Sequence, residues 1–394
     1  SRPAPTAAWG LALALLPMLT QAGADLLGVT EQMPVSGATP DTDLTQQNFP
    51  AGRRGKYVIE KGKFTSDDAE SHLLGFGEYC AMYLFAWSNA IWPNVFPAKA
   101  DVVDLAMRTN LATNDVLTSP GSTADEKAAF KKDLEEAWDT QDKLLKEFKD
   151  RLPKVRRALA NVPVLMILDD HEVTDDWYIT RFWRDRVLTA PPGVTVIRNA
   201  LTAYGLFQGW GNDPEKFIGG DYGNMLQQAA ALFGNGAFSQ AAADQLSQLF
   251  GLGGGIPPLV WNYHLVGGQY EIVVMDTRTR RAYPTRFSPP GLLNPQEIED
   301  QIPEQPFSAS TEVLVLISAA PVLGLEIFEE LIQPLTAGIV DSIQTMKARL
   351  ADQRAPAEAI RNKLTGAFMA DLEAWGFNPA AFEDALPVII KLGI

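Results

Sequence analysis

The run VPVLMILDD, Val162 to Asp170, constrains the chain more than any other feature: it is apolar over a strand's length and then ends in two acids. A short apolar run without alternation marks a strand covered on both faces. Two further segments have the same character. LVWNYHLVGGQYEIVVMDTRTRR carries a Gly-Gly turn between two strand-like halves, which is a hairpin signal. EVLVLISAAPVL, residues 312–323, is a third buried-strand candidate. Helical patterns separate these runs, and strands alternating with helices over this length predict an α/β fold with a largely buried mixed sheet.

The helical stretches have distinct signatures. FGEYCAMYLFAWSNAIWP, inside a pattern over residues 71–111, reads as a buried helix closed by Pro93. Thr123 and Glu126 have capping-box spacing, and behind them Phe130, Leu134, Trp138, Leu145, Phe148 and Leu152 recur every three to four residues. They predict one long surface helix whose charges, such as Lys131 with Glu135 and Lys143 with Glu147, pair across four residues on a solvated face. Residues 199–250 and the stretch MKARLADQRAPAEAIRNKLTGAFMADLEAWGF are helical again, before LPVIIKLGI. Residues 29–66, rich in Pro, Gly, Thr and Asp, read as a long surface loop. The apolar run AAWGLALALLPML behind Arg2 fits either an amphipathic helix or a secretory signal. The cytoplasm is the expected location, and secretion the expectation if that run is a signal. No later run reaches the roughly 18 apolar residues of a membrane span.

Acids outnumber bases by 48 to 33, a net charge of −15, which argues against a nucleic-acid partner because a phosphate backbone would be repelled. Cys80 is the only cysteine, so a bound metal would be held by oxygen and imidazole rather than by thiolates.

The chemistry concentrates in ILDDHEVTDDW, residues 167–177. Side chains at the carboxyl end of a strand in an α/β sheet project into the crevice where ligands collect. Carboxylates there suit hard cations, and a neighbouring imidazole can bind metal or transfer protons. On an extended backbone Asp169 and Asp170 point opposite ways, so one would face a metal while the other braces the turn. Thr174 is placed to cap the next helix, with Asp175 and Asp176 in its first turn, where the macrodipole favours negative charge. Asp276 ends a strand beside Arg278, Arg280 and Arg281, where one Arg could meet a substrate phosphate and where an ion pair that stabilises the fold is the more frequent arrangement. His72 and His264 stand apart from any metal-binding pattern and read as structural.

VLMILDDHEVTDDW, followed by NALTAYGLFQGWGNDPEKF and VVMDTRTRR, resembles the PhoD-like phosphatases, a branch of the calcineurin-like metallophosphoesterases. FGEYCAMYLFAWSNAIWP and DLEAWGFNP are similar to segments of the same family, so the resemblance covers nearly the whole chain from about residue 9. It implies an α/β/β/α sandwich with helical insertions, as one domain over residues 1–394 with a mainly helical insertion around 71–160 and a helical cap around 199–250. It implies hydrolysis of small phosphorylated substrates, mono- or diesters, by a metal-activated hydroxide. Two cations of Ca, Fe, Mn or Mg would stabilise the attacking and leaving oxygens. Asp170 would be a metal ligand, His171 the catalytic acid, Asp169 and Glu172 supporting residues, and Arg278 a candidate for the substrate phosphate.

The family's GDQIYAD-like motif has SRPAPTAA in its place, and Ile394 is reached before an SGDVH-like motif. The expectation is therefore a sequence truncated at both ends, with an incomplete metal shell, weak metal affinity and impaired turnover. The alternative expectation, from a different class, is a catalytically inactive relative serving as a binding or scaffold protein.

Overall fold

The computed structural model describes residues 54–66, 72–108 and 123–321, apart from 235, 287–289 and 304, with a few isolated positions before residue 70. Most of the N-terminal apolar run, residues 34–53, the helical pattern after residue 323 and LPVIIKLGI lie outside the described residues. The chain divides into two compact units: one of residues 1–164, 190–203 and 227–246, and another of 165–189, 204–226 and 247–394.

In the first unit, α1 (Phe76–Trp87), α2 (Lys99–Arg108) and α3 (Ala124–Leu159) pack around Phe85, Trp92, Phe96, Val102, Val103 and Leu134. The predicted capping box starts α3: Thr123 Oγ1 accepts from Glu126 N, and the Glu126 carboxylate accepts from Thr123 N at 2.8 Å. Ion pairs four apart do line its outer face, but the partners are Lys132 with Glu136, Lys146 with Asp142 and Arg151 with Glu147. Helix α1 ends at Trp87, well before Pro93. Ser88 is already extended, and the Trp92 indole N–H donates to the Phe85 carbonyl at 3.0 Å, so a side chain folding back ends the helix before the proline can.

The end of the expected surface loop is core instead. A π-helical turn, Lys56–Lys61, buries Tyr57 and Val58, and Arg54 is fully buried before it. The Arg54 guanidinium grips Glu78 with two parallel hydrogen bonds of 2.9 and 2.5 Å and donates to the His72 carbonyl at 2.7 Å. Glu78 also accepts the N–H groups of Leu74 and Gly75, donors that the first turn of α1 leaves over. An ion pair with both side chains at 0% exposure holds only when its remaining donors and acceptors are met in this way.

In the second unit the hairpin forms as expected. β1 (Tyr263–Val266) pairs antiparallel with β2 (Tyr270–Val274) around Gly267–Gly268, and β2 pairs parallel with β3 (Val313–Ile317), giving a mixed sheet in the order β1-β2-β3. Parallel neighbours need a crossover, and here it contains a short helix, Pro295–Gln301, capped by Asn294, whose side chain accepts from Glu297 N. Val273, Met275, Leu292, Leu293, Ile298 and Ile302 form the core beneath, with Leu314 and Leu316 packed against it.

Val162–Asp170 is not a strand: no ladder includes it. A side chain takes the place of a neighbouring strand at Met166, because the Asn212 amide accepts from Met166 N and donates to Met166 O, both at 2.8 Å. Pro163 brings no backbone donor to the start of the run. The fold is thus mixed helix and sheet, with a small sheet of three strands among the described residues; the sheet is not largely buried as expected, because β3 is an edge strand with Val313, Val315 and Ile317 exposed. No helix among them is long and apolar enough to cross a membrane.

His72 makes the first unit acid-sensitive. Burial of its ring, which lies 5.4 Å from Phe64, pulls its pKa down from 6.5 to about 4, against the opposing pull of the Leu73 carbonyl. The folded chain keeps the ring neutral while the unfolded chain binds a proton below pH 6.5, so stability falls as pH drops from about 6.5 towards 4. Urea unfolding of His72→Gln should show a smaller loss between pH 7 and pH 5 than the parent chain; identical slopes would exclude His72 as the cause.

Candidate functional site

The acid cluster sits on a tight series of turns rather than on a helix. The Asp170 carbonyl accepts from Val173 N at 2.7 Å and Thr174 N at 2.8 Å, which reverses the chain at once. No helix follows Thr174; the next, α4 (Arg181–Leu188), is capped by Thr180, whose hydroxyl accepts from Trp183 N. The expectation that Thr174 caps a helix with Asp175 and Asp176 in its first turn is therefore wrong. Asp176 and Tyr178 instead have φ of 64° and 61°, a left-handed conformation that costs a non-glycine residue about 1–3 kcal/mol. The surroundings hold them there: Arg281 Nη1 donates to the carbonyls of Trp177 and Tyr178, and the Tyr283 hydroxyl donates to the latter at 3.0 Å. The buried Tyr178 phenol is pushed up to about 12, so it stays neutral.

This reversal brings together groups that an extended strand would keep apart. Both Asp169 and Asp170 turn to one nitrogen of Arg278: Asp169 Oδ1 pairs closely with Nη2, and Asp170 Oδ1 lies 3.3 Å from it. The expectation that the two aspartates face opposite ways fails because the backbone leaves the extended form at Asp170. Arg278 is aimed by the turn after β2. Asp276 Oδ1 accepts from the N–H groups of Arg278 and Thr279, and Asp276 Oδ2 accepts from Trp261 N, so Asp276 is a turn former rather than an ion-pair partner. Arg280 goes to the carbonyls of Pro257 and Leu259 and lies 3.4 Å from Glu297, while Arg281 braces the strained turn. Arg278 is the one of the three arginines placed at the acid cluster, buried and turned onto carboxylates.

Glu172 hydrogen-bonds on both sides. Its Oε2 accepts from Asp169 N at 2.9 Å, and its Oε1 accepts from the Gln208 side chain at 3.3 Å. Gln208 lies in a π-helical turn, Gly205–Gly209, which continues α5 (Pro191–Tyr204). Two glycines make room for the Trp261 ring there: a Cβ on Gly209 would lie 2.8 Å from that ring and one on Gly205 3.2 Å.

One oxygen of Asp170, one nitrogen of His171 and one oxygen of Asp175 lie within 4.8 Å of one another. The Asp170 side chain is buried and hydrogen-bonds His171 N at 3.0 Å, whereas the His171 ring is 77% exposed with Nε2 3.8 Å from Asp170 Oδ1. Asp175 is the member that sequence reasoning assigned to a helix end. Its spacing from Asp170 signals proximity only once the intervening residues are known to be a turn. Two carboxylates and an imidazole are a donor set that fits one divalent cation, and no second set appears among the described residues. His72 and His264 stand elsewhere, the latter 3.2 Å from Glu271, which also accepts from Phe307 N, Ser308 N and the Thr311 hydroxyl. No known protein family, curated protein or solved structure matches the chain.

Two outcomes follow from these contacts. Gly209→Ala forces a methyl against a rigid indole and should cost about 1–3 kcal/mol in denaturant unfolding; an unchanged midpoint would show that the Trp261 ring can shift. Arg278→Met removes the guanidinium beside the buried Asp170 carboxylate and should destabilise by about 3 kcal/mol at pH 7.

Proposed function

We propose that this chain is a metal-dependent phosphoesterase of the PhoD-like type, built on the metallophosphoesterase sandwich and acting on small phosphorylated substrates. The observation that carries the reading is the convergence of Asp170, His171 and Asp175 within 4.8 Å. It comes from the same DDHE segment that bears the resemblance. Asp170 and Asp175 would hold a divalent cation, with water completing its shell. Such a cation polarises a phosphoryl oxygen and lowers the pKa of a bound water. The exposed His171 ring holds a proton at Nε2 for the leaving oxygen. Arg278 and Glu172 act one step back: the first turns both aspartates to one side, and the second fixes the backbone N–H of Asp169.

A second reading has its own observation. Arg278 already neutralises Asp169 and Asp170, and a guanidinium beside a carboxylate opposes cation uptake. On that reading the chain is a phosphatase-like binding protein without catalysis.

Calorimetric titration with Mn2+, Ca2+ and Mg2+, combined with hydrolysis of bis(p-nitrophenyl) phosphate, separates the two. On the enzyme reading Asp170→Asn and Asp175→Asn each weaken cation binding about tenfold or more. His171→Ala lowers kcat by about 100-fold and leaves binding near the parent value. Absence of cation uptake and of hydrolysis in the parent chain would favour the binding protein, and hydrolysis indifferent to all three substitutions would remove the site from the reaction.

A further inference from the structure

Helix α3 carries a run of apolar residues that outlasts the core beneath it. Leu145, Phe148, Leu152, Val155, Leu159 and then Val162 alternate three and four residues apart, the repeat of a coiled-coil seam. The core covers only the first part of the run. Leu152 is buried and Leu145 packs beside it, but every residue from Pro153 to Leu159 is exposed, and so is Val162. Phe148, Val155 and Leu159 are 44%, 39% and 37% exposed, with Leu144 on the same side at 52%. At about 100° per residue these four fall within an arc of roughly 60°. They form one stripe along the last turns of the helix.

The flanks of that stripe are basic. Residues 143–159 hold seven Lys or Arg and two acids, in a chain whose net charge is −15. Arg156 and Arg157 suit the carboxyl end of a helix. On the same projection Arg151, Lys154 and Arg156 flank the stripe together with Glu147, whereas Lys143, Lys146 and Arg157 lie on the far side of the helix, Lys146 paired with Asp142, and Lys149 donates to the Pro93 carbonyl. A second copy of the chain laid along the same stripe would set Arg151, Lys154 and Arg156 against the same bases of its partner, which selects against self-pairing. Acidic flanks would be matched to these three bases.

We propose that the exposed end of α3, from Leu144 to Leu159, is a docking face for an acidic amphipathic helix of a partner protein. Val155 and Leu159 would be the apolar anchors, and Arg151 and Lys154 would pair with Glu or Asp beside the partner's apolar seam. The face belongs to the first unit and the acid cluster to the second.

The test uses the full chain and two synthetic four-heptad helices with Leu along the seam, one flanked by Glu and the other by Lys, followed by fluorescence anisotropy. The Glu-flanked helix should bind, weaken as salt rises, and bind about tenfold or more tighter than the Lys-flanked one. Val155→Ser combined with Leu159→Ser should abolish binding with an unchanged circular dichroism spectrum, since both positions are exposed. Arg151→Glu combined with Lys154→Glu should reverse the preference between the two helices. Equal binding of both helices, or binding that survives the two serines, overturns the proposal. So does a dimer of the chain alone that the serines dissolve, or adsorption to phosphatidylserine vesicles that the serines remove while the Glu-flanked helix fails to bind.

Discussion

The turn chemistry of the second unit depends on one guanidinium. Arg278 meets Asp169 and Asp170 through a single nitrogen, and it arrives there because Asp276 has already satisfied the backbone around it. Two adjacent carboxylates forced to the same side repel each other, and a buried carboxylate needs a partner. The cation answers both demands and ties the turn after β2 to a turn over a hundred residues earlier. Arg281, three positions on, holds the two left-handed residues in place through their neighbouring carbonyls. The VVMDTRTRR segment is thus the frame on which the acid turn is built.

The first unit solves a similar problem with a different geometry. Arg54 and Glu78 are fully buried, and their desolvation is offset by parallel hydrogen bonds together with the backbone groups of His72, Leu74 and Gly75. Glu78 therefore does two jobs: it neutralises a buried arginine and it completes the amino end of α1. In both units an arginine reaches a carboxylate from a distant segment, and the carboxylate or its neighbour fixes the local turn.

The acid cluster has a dual character that follows from this arrangement. Asp170 belongs both to the ion pair with Arg278 and to the three groups that converge within 4.8 Å. On the proposed function a cation and the arginine would share that carboxylate, and the charge of Arg278 would oppose cation uptake. Gln208, Glu172 and the glycine-lined π-helical turn beneath Trp261 fix the other side of the cluster.

Local signals were legible wherever the physics is local. Thr123 with Glu126 set the start of α3 and the Gly267–Gly268 turn set the hairpin, since caps and turns act within a few residues; the apolar run after residue 312 became β3, but its expected burial failed, with Val313, Val315 and Ile317 exposed. The acid cluster was visible for the same reason, as were Asp170 and His171 within it. The partners were not. Whether VPVLMILDD joins a sheet depends on whether a neighbour is present, and the Asn212 amide takes that place at Met166. Whether Asp175 sits in the first turn of a helix or turns towards Asp170 depends on left-handed residues braced by Arg281. Arg54 looked like a loop residue until Glu78 buried it. The sequence alone determined which residues carry charge and where each helix or turn may start; only the tertiary structure decided which charges meet, because pairing across a hundred residues is settled by burial and geometry rather than by spacing along the chain.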